Sequence, residues 1–168
     1  MDINNKLVYW SIGLLLVLAV VLTYLYTPNS RESANLTVSC KGEPVKTFTI
    51  EQIKEMPAVD RRVTIRSSSE GTQTHVFTGT PLREILTDLE NAVLTDTSKV
   101  TASGLDSYTV VFDSEEIMSR DHVLLVYAQD GKPLGSKSEG GTGPFRIIVI
   151  GDQFGLRAVK YVNELEIN

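Results

Sequence analysis

The chain contains few of the residues from which metal centres are usually built. Its 168 residues include one cysteine, Cys40, and two histidines, His75 and His122. A single cysteine excludes an internal disulfide and a cysteine-rich metal site, and neither histidine belongs to a zinc-ligand motif such as H-E-x-x-H. The residues themselves therefore indicate no metal centre, and Cys40 is interpreted as a small residue within a strand.

Basic residues are also scarce, and the usual catalytic motifs are missing. Sixteen Lys and Arg stand against 21 Asp and Glu, a net charge of −5 that argues against binding to nucleic acid. No G-x-S-x-G element is present. The glycine-rich residues 140–144 precede a predicted strand, so they lack the helix N-terminus of a phosphate-binding loop. Taken alone, the residues indicate no enzyme mechanism.

Residues 7–26 contain no charge and are rich in Leu and Val. At about 1.5 Å rise per residue, these twenty residues are long enough to cross the roughly 30 Å hydrocarbon core of a bilayer. Tyr9, Trp10, Tyr24 and Tyr26 lie at the two ends, where aromatic rings favour the headgroup level. The sequence therefore predicts a transmembrane signal anchor that places residues 1–6 in the cytoplasm and the remainder outside it.

Two alternatives to an anchor remain open, a cleaved signal peptide and a buried core helix. A cleavable signal usually has a shorter apolar run and an A-x-A-like exit, which Glu32 spoils at the site ending in Ala34. No twin-arginine pair precedes the apolar run, so export in the folded state is not signalled. Residues 27–35 are polar and predict a short stalk before a domain at 36–168.

Residues 36–168 predict an α+β domain that is mostly β, because many short apolar strands are interrupted by a few short helices. Thr49 and Gln52 have capping-box spacing, and Thr80 with Pro81 predicts the start of an amphipathic helix. A third short helix opens at residue 113 or 114, with Glu115 and Glu116 in its first turn. Two polar loops are predicted, at 67–74 and 135–143.

Four pieces of the domain resemble, in order, the oxidoreductase molybdopterin-binding domain, the fold of the sulfite oxidase family. They are TFTIEQIKEMP, FTGTPLREIL, GLDSYTVVFDSEEI and the closing GKPLGSKSEGGTGPFRIIVIGDQFGLRAVKYVNELEI. The last piece resembles the family's G-x-P-L turn, its G-G-P-x-R strand and its G-x-R-x-V-K-W/Y stretch. The resemblance covers residues 36–167 and implies a sulfite-oxidase-like fold behind the predicted transmembrane helix.

The resemblance also implies candidate ligand-binding residues. Tyr108 aligns with an aromatic hydroxyl near the family's metal, and Arg146 belongs to the G-G-P-x-R element. Arg157 and Lys160 fall in the stretch that the family uses near its pterin cofactor. Guanidinium and ammonium groups are suitable donors for a phosphate or sulfate.

The sequence departs from the family at the metal ligand. The resemblance places a molybdenum-binding cysteine in the loop before the V-P-L helix, where this chain has Ser67, Ser68 and Ser69. A thiolate is the soft ligand that suits this metal, and Cys40 lies elsewhere, in the first predicted strand. The missing export signal agrees with this departure, because the family's cofactor is loaded in the cytoplasm. We therefore expect no metal ligand and no molybdopterin.

These observations predict a membrane-anchored, extracytoplasmic binding domain. Its expected ligand is a small anion or a membrane protein partner, held between the serine-rich loop, the glycine-rich loop and the strand of Arg157 and Lys160. The alternative is an active molybdopterin-dependent oxidoreductase of the sulfite oxidase type, in which an oxygen ligand replaces the thiolate. A structural spacer within a membrane complex is a further, lesser possibility.

Overall fold

The computed structural model describes residues 9–10, 12–18, 34–67, 71–89, 94–95, 98–152 and 155–168. The chain divides into two units, Met1–Ser33 and Ala34–Asn168. In the first unit, residues 9–10 and 12–18 are helical. Among the described residues, no helix has the length and apolar character needed to cross a membrane. Most of the predicted anchor at 7–26 and stalk at 27–35 lies outside the described residues, so both stay predictions.

The second unit has a mostly β, α+β fold, as the sequence predicted. Its described residues form ten strands and three short α-helices. In chain order these are β1 (Asn35–Cys40), β2 (Glu43–Thr49), α1 (Ile50–Glu55), β3 (Val59–Ser67), β4 (Gly71–Pro81), α2 (Leu82–Thr87), β5 (Lys99–Gly104), β6 (Thr109–Asp113), α3 (Ser114–Met118), β7 (Val123–Gln129), β8 (Lys132–Pro133), β9 (Arg146–Val149) and β10 (Val162–Ile167).

The strands form two sheets. Sheet A has the order β2-β1-β10-β5-β6, and sheet B has the order β3-β4-β7-β8 with β9 also paired to β7. The last strand, β10, pairs in parallel with the first and antiparallel with β5, so the two ends of the unit meet in the middle of sheet A. The neighbouring strands of sheet B are antiparallel.

Two apolar clusters hold the unit together. The larger one joins sheet A, the three helices and one face of sheet B, and it includes Phe48, Leu86, Phe112, Leu125 and Leu165. The smaller one lies on the other face of sheet B and contains Val63, Phe77, Leu124, Val126, Leu134 and Ile148. Alternate residues of β7 enter different clusters, because side chains alternate across a strand. This explains why the β7 sequence is continuously apolar.

Short-range signals in the sequence account for several element boundaries. Thr49 and Gln52 form the predicted capping box, with the Gln52 N–H 3.3 Å from the Thr49 hydroxyl and the Thr49 N–H 2.9 Å from the Gln52 side chain. Asp130 and Gly131 have φ angles of +52° and +75°, which close the tight turn between β7 and β8. The sequence alone was therefore sufficient to predict local hydrogen bonding and turn geometry.

Two predicted boundaries are wrong. Residues 71–74 belong to β4 and not to a loop, since the β3–β4 hairpin pairs from Val59↔Gly79 up to Ser67↔Gly71. The exposed Thr64 and Thr74 hydroxyls lie 2.9 Å apart across it. Polar side chains therefore extend from two strands whose backbones are hydrogen-bonded to each other. Thr80 does not cap α2. It is buried, and its hydroxyl donates to the Ile53 carbonyl at 3.2 Å.

Candidate functional site

A polar cluster forms where α3 and the start of β7 meet the connection from β9 to β10. The Arg157 Nη1 donates to Glu116 Oε1 at 2.6 Å, and the Arg157 Nε lies 3.6 Å from Asp152 Oδ2. The His122 Nε2 lies 3.2 Å from the same Glu116 oxygen. The backbone N–H of Arg157 also donates to Asp152 Oδ2 at 3.2 Å, which fixes the loop that carries the guanidinium.

Two clefts meet at His122. One has a volume of about 460 Å³ and is lined by His122, Ile150, Gly151, Asp152, Leu156 and Arg157. The other has a volume of about 300 Å³ and is lined by Asp113, Glu115, Glu116, Ser119 and His122. The larger cleft holds one carboxylate beside the Arg157 guanidinium, whereas the smaller cleft holds three carboxylates and is acidic. An acidic site favours cationic ligands over anions.

The structure brings Tyr108 and Arg157 into the same region. The Tyr108 hydroxyl donates to the carbonyl oxygen of Leu156, the residue before Arg157. Tyr108 immediately precedes β6, and its side chain is exposed. Two of the four residues proposed from the sequence are thus neighbours, joined through a backbone carbonyl.

Arg146 has very different surroundings from Arg157. It opens β9, and its guanidinium carbon lies 5.6 Å from the centre of the Phe77 ring. Its Nε is buried without a hydrogen-bond partner, and burial lowers the pKa of this guanidinium below its ordinary value. Among the described residues it has no carboxylate partner. Arg146 is therefore a cation that the described part of the domain does not neutralise.

Lys160 presents an exposed side chain, and its backbone is fixed by a close contact. A Cβ placed on Gly104 would stand 2.3 Å from the Lys160 carbonyl oxygen, so only glycine fits at that point of β5. The next residue, Tyr161, donates from its hydroxyl to the Gly141 carbonyl at 2.9 Å. The stretch that carries Lys160 is thereby tied to the glycine-rich loop.

The serine-rich segment lies at the tip of the β3–β4 hairpin. Ser67 is the last residue of β3, whereas Ser68 and Ser69 lie outside the described residues. A Cβ on Gly155 would stand 3.4 Å from the Ile65 side chain, so the loop before Arg157 packs on β3 two residues from Ser67. The described end of the β3–β4 hairpin and the loop before Arg157 are therefore adjacent.

The side chains described here do not fit a molybdenum ion. Cys40, the only thiol, lies in β1 of sheet A and packs partly buried against the larger cluster, away from the β3–β4 hairpin of sheet B. Among the described residues, no group of three or more His, Cys, Asp or Glu side chains could hold a metal. The soft sulfur donor that the metal favours is absent from the region that faces the Arg157 loop.

Sequence reasoning missed Glu116, His122 and Asp152. Glu116 was interpreted as a first-turn carboxylate of α3, which is correct but incomplete, since it also accepts from Arg157. Residues 116, 122 and 157 are brought together only by the packing of α3 against the β9–β10 connection. One local signal was available in the sequence. Asp152 and Arg157 are five residues apart and lie next to or near Gly151 and Gly155, whose positive φ angles are typical of a tight connection.

Comparisons with known proteins agree with this fold. A model of the oxidoreductase molybdopterin-binding domain family matches residues 24–168. Among solved structures, the chain is similar to the sulfane dehydrogenase SoxCD from Paracoccus pantotrophus, with a TM-score of 0.66 and 20% sequence identity. No curated protein sequence matches the chain.

The similarity to the sulfane dehydrogenase concerns the fold alone. It covers 82% of this chain but 39% of the other, so this chain spans less than half the length of that protein. The family match is broader, because it includes all of the second unit. The chain therefore belongs to the oxidoreductase molybdopterin-binding domain family.

Proposed function

We propose that this chain is a membrane-anchored, extracytoplasmic member of the family that binds a small anion and does not hold molybdenum through a protein thiolate. The donor set carries the proposal: the one thiol is in sheet A, whereas the serine-rich hairpin that replaces the family's ligand is in sheet B. A domain with this fold and no soft ligand is suited to binding rather than to metal-dependent redox chemistry.

The membrane anchor is supported by the uncharged residues 7–26. Within them, residues 9–10 and 12–18 are helical, and large apolar side chains such as Trp10, Leu14 and Leu15 are exposed. Exposed apolar side chains on a helix are stabilised by a lipid environment. An anchor with a short N-terminal tail would place the domain on the extracytoplasmic side.

Arg146 is the best supported anion site. Arg146 as a whole is partly exposed, while its Nε is buried without an acceptor among the described residues. An anion beside it would supply both the missing acceptor and the missing counter-charge. Lys160, whose side chain is exposed, provides further positive charge on the stretch tied to the glycine-rich loop.

Arg157 suits this role less well, although it lies in the stretch that the sequence singled out. Glu116 accepts from its Nη1, Asp152 lies 3.6 Å from its Nε, and the cleft beside Glu116 adds Asp113 and Glu115. An anion would therefore approach a guanidinium that two carboxylates already neutralise. In the proposed function Arg157 therefore fixes the loop, and Arg146 receives the ligand.

Thermal unfolding of the full chain in increasing sulfate or phosphate tests this assignment, with sodium chloride at equal ionic strength as the control. An anion that binds only the folded state stabilises it by RT ln(1 + [L]/Kd). We expect Arg146→Gln to abolish the anion-specific stabilisation and the matched variant Arg157→Gln to retain it. Retention by Arg146→Gln, or an equal response to chloride, would contradict the proposal.

The family match supports one alternative, an active molybdopterin-dependent oxidoreductase whose metal takes an oxygen ligand. In that case the serine-rich hairpin would supply the metal ligand, and Arg157 and Lys160 would lie in the stretch that the family uses near its pterin cofactor. This alternative expects molybdenum and pterin in stoichiometric amounts in the protein purified from its own host. The proposed function expects neither.

A further inference from the structure

The exposed apolar side chains of the second unit are concentrated in one region. Among its described residues, the large apolar side chains that are exposed are Leu105, Tyr108, Val111, Met118 and Leu156. They lie in the β5–β6 turn, before and within β6, at the end of α3, and in the loop whose carbonyl accepts from Tyr108. Clustered exposed apolar side chains mark interaction surfaces more often than single ones do.

The same region contains an open strand edge, because β6 is the last strand of sheet A. The Gly104 N–H donates to the Tyr108 carbonyl at 3.0 Å, and the Ser114 N–H donates to the Ser98 carbonyl at 3.1 Å. Hydrogen-bonded pairs alternate along an antiparallel ladder, so Val110 and Phe112 bond to β5. The backbone groups of Thr109 and Val111 therefore point away from β5, whereas Asp113 is the N-cap residue of α3.

Three of the other edge strands carry features that prevent strand addition, and β9 is bridged on its outer side by Val159. Charged side chains, proline and bulges on an edge strand block pairing with another chain. Such features are Glu43, Pro44 and Lys46 on β2, Asp60, Arg61, Arg62 and Arg66 on β3, and Lys132 and Pro133 on β8. The β1–β2 pair also has a register shift between Val38 and Ser39. By contrast, β6 reads TVVFD, with its one charge at the last residue.

The charges around β6 indicate what kind of segment it would accept. Asp113 ends the strand and pairs with Lys99 of β5 at 3.1 Å, while Glu115 and Glu116 line the same 300 Å³ cleft and Asp152 lies in the neighbouring cleft beside Arg157. Four carboxylates thus stand against Lys99 and Arg157, which leaves an excess of negative charge. A second copy of this chain would bring the same carboxylates together across the interface. A segment with Lys or Arg would instead complement them.

We propose that β6 is a strand-addition edge for a protein partner: an extended segment that pairs with the outward backbone of Thr109 and Val111, packs apolar side chains beside Val111, and places a Lys or Arg near Glu115. Backbone pairing supplies affinity in this mode of recognition, and alternate side chains supply specificity. The inference goes beyond the proposed function, since it involves neither Arg146 nor an anion.

Two synthetic peptides test the inference, K-T-V-T-V-K and its charge-reversed counterpart E-T-V-T-V-E, each titrated into the full chain and followed by fluorescence anisotropy. We expect the lysine peptide to bind at least about tenfold more tightly than the glutamate peptide. Hydrogen exchange should slow at the Thr109 and Val111 amides when the lysine peptide is bound.

Three variants localise the binding. Val111→Pro removes an outward N–H without removing a bond to β5, and Val111→Lys adds a blocking charge. Both should weaken the lysine peptide at least about tenfold, whereas Thr47→Lys, a matched change on the β2 edge, should leave its affinity within about twofold.

Several outcomes would overturn the inference. No binding of the lysine peptide, equal affinity for both peptides, or unchanged affinity in both Val111 variants would each exclude a strand-addition edge at β6. Self-association of the chain that Val111→Pro abolishes would make a second copy the occupant and exclude the proposed partner. Because Arg146 is untouched throughout, none of these outcomes alters the test of the anion site.

Discussion

Arg146 and Arg157 are both arginines of the family's closing stretch, yet the fold treats them in opposite ways. Arg157 is paired with Glu116 at 2.6 Å and lies 3.6 Å from Asp152. Arg146 lies over the Phe77 ring and, among the described residues, has no carboxylate partner. A cation in a family motif therefore has no fixed role. Its neighbours decide whether it cross-links the domain or remains available for a ligand.

The energetic consequences of the two environments also differ. A guanidinium that is held by carboxylates contributes to stability, and removing one partner leaves the other charge unpaired. A guanidinium buried without a counter-charge is unfavourable in the free protein, and contact with an aromatic face offsets part of that penalty. The Arg146 site is thus the one that gains most from an added anion.

The largest change in stability is expected when the aromatic ring beneath Arg146 is removed. Phe77 is fully buried in the smaller cluster, so Phe77→Ala should lower the free energy of unfolding by about 3–5 kcal/mol. Leu156, beside Arg157, is 70% exposed, and Leu156→Ala should change the free energy of unfolding by less than about 0.5 kcal/mol. Urea unfolding of both variants measures the two changes in the free energy of unfolding. Similar losses in Phe77→Ala and Leu156→Ala would contradict the contrast between a buried Arg146 site and an exposed Arg157 site.

An intermediate effect is expected at the paired arginine. Glu116→Gln and Arg157→Met should each lower the free energy of unfolding by about 1–2 kcal/mol. This range already allows for the weakening of the ion pair by solvent, because the Arg157 side chain is partly exposed. In a double-mutant cycle measured by urea unfolding, the two losses should not add, because both remove the same contact. Full additivity would show that the pair contributes nothing.

A smaller effect is expected at the unpaired arginine. Arg146→Met keeps most of the apolar packing of the side chain and removes an uncompensated buried charge, so the free energy of unfolding should change by less than about 1 kcal/mol. Urea unfolding without added anion is the measurement. A loss as large as that of Arg157→Met would mean that Arg146 has a structural partner and is not a free receptor.

The smallest effect concerns acid stability near the Arg146 site, where His75 packs edge-on against Phe77. The Val76 N–H and the His75 side chain hold the pKa of Asp130 below its ordinary value of 3.8. The stability from this lowered pKa is present above pH 3.8 and lost as the pH falls through the lower folded value. Asp130→Asn should therefore flatten the decline in the free energy of unfolding below pH 3.8. An unchanged dependence on pH would show that Asp130 does not contribute to acid stability.

The sequence predicted features that depend on neighbouring residues. The capping box at Thr49, the apolar face of α2 and the turn at Asp130 all follow from short-range patterns, and the structure contains each of them. The strand at 123–129 was predicted from its continuous run of apolar residues, and the structure shows that both of its faces are buried. The resemblance of four ordered pieces supplied the family, which the match to residues 24–168 confirms.

The sequence did not predict which charges meet. Glu116, His122 and Arg157 are separated by up to 41 residues, and their contact depends on where the β9–β10 connection packs. The contrast between Arg146 and Arg157 was equally invisible, because it arises from the presence or absence of carboxylates contributed by other elements. Long-range electrostatics therefore required the folded structure.

The most direct test of the central claim is the molybdenum and pterin content of the full chain purified from its own host. The account predicts molybdenum far below one atom per chain and no pterin fluorescence in the denatured extract. One molybdenum atom and one pterin per chain would contradict it, since the domain would then hold the family's cofactor without the family's thiolate.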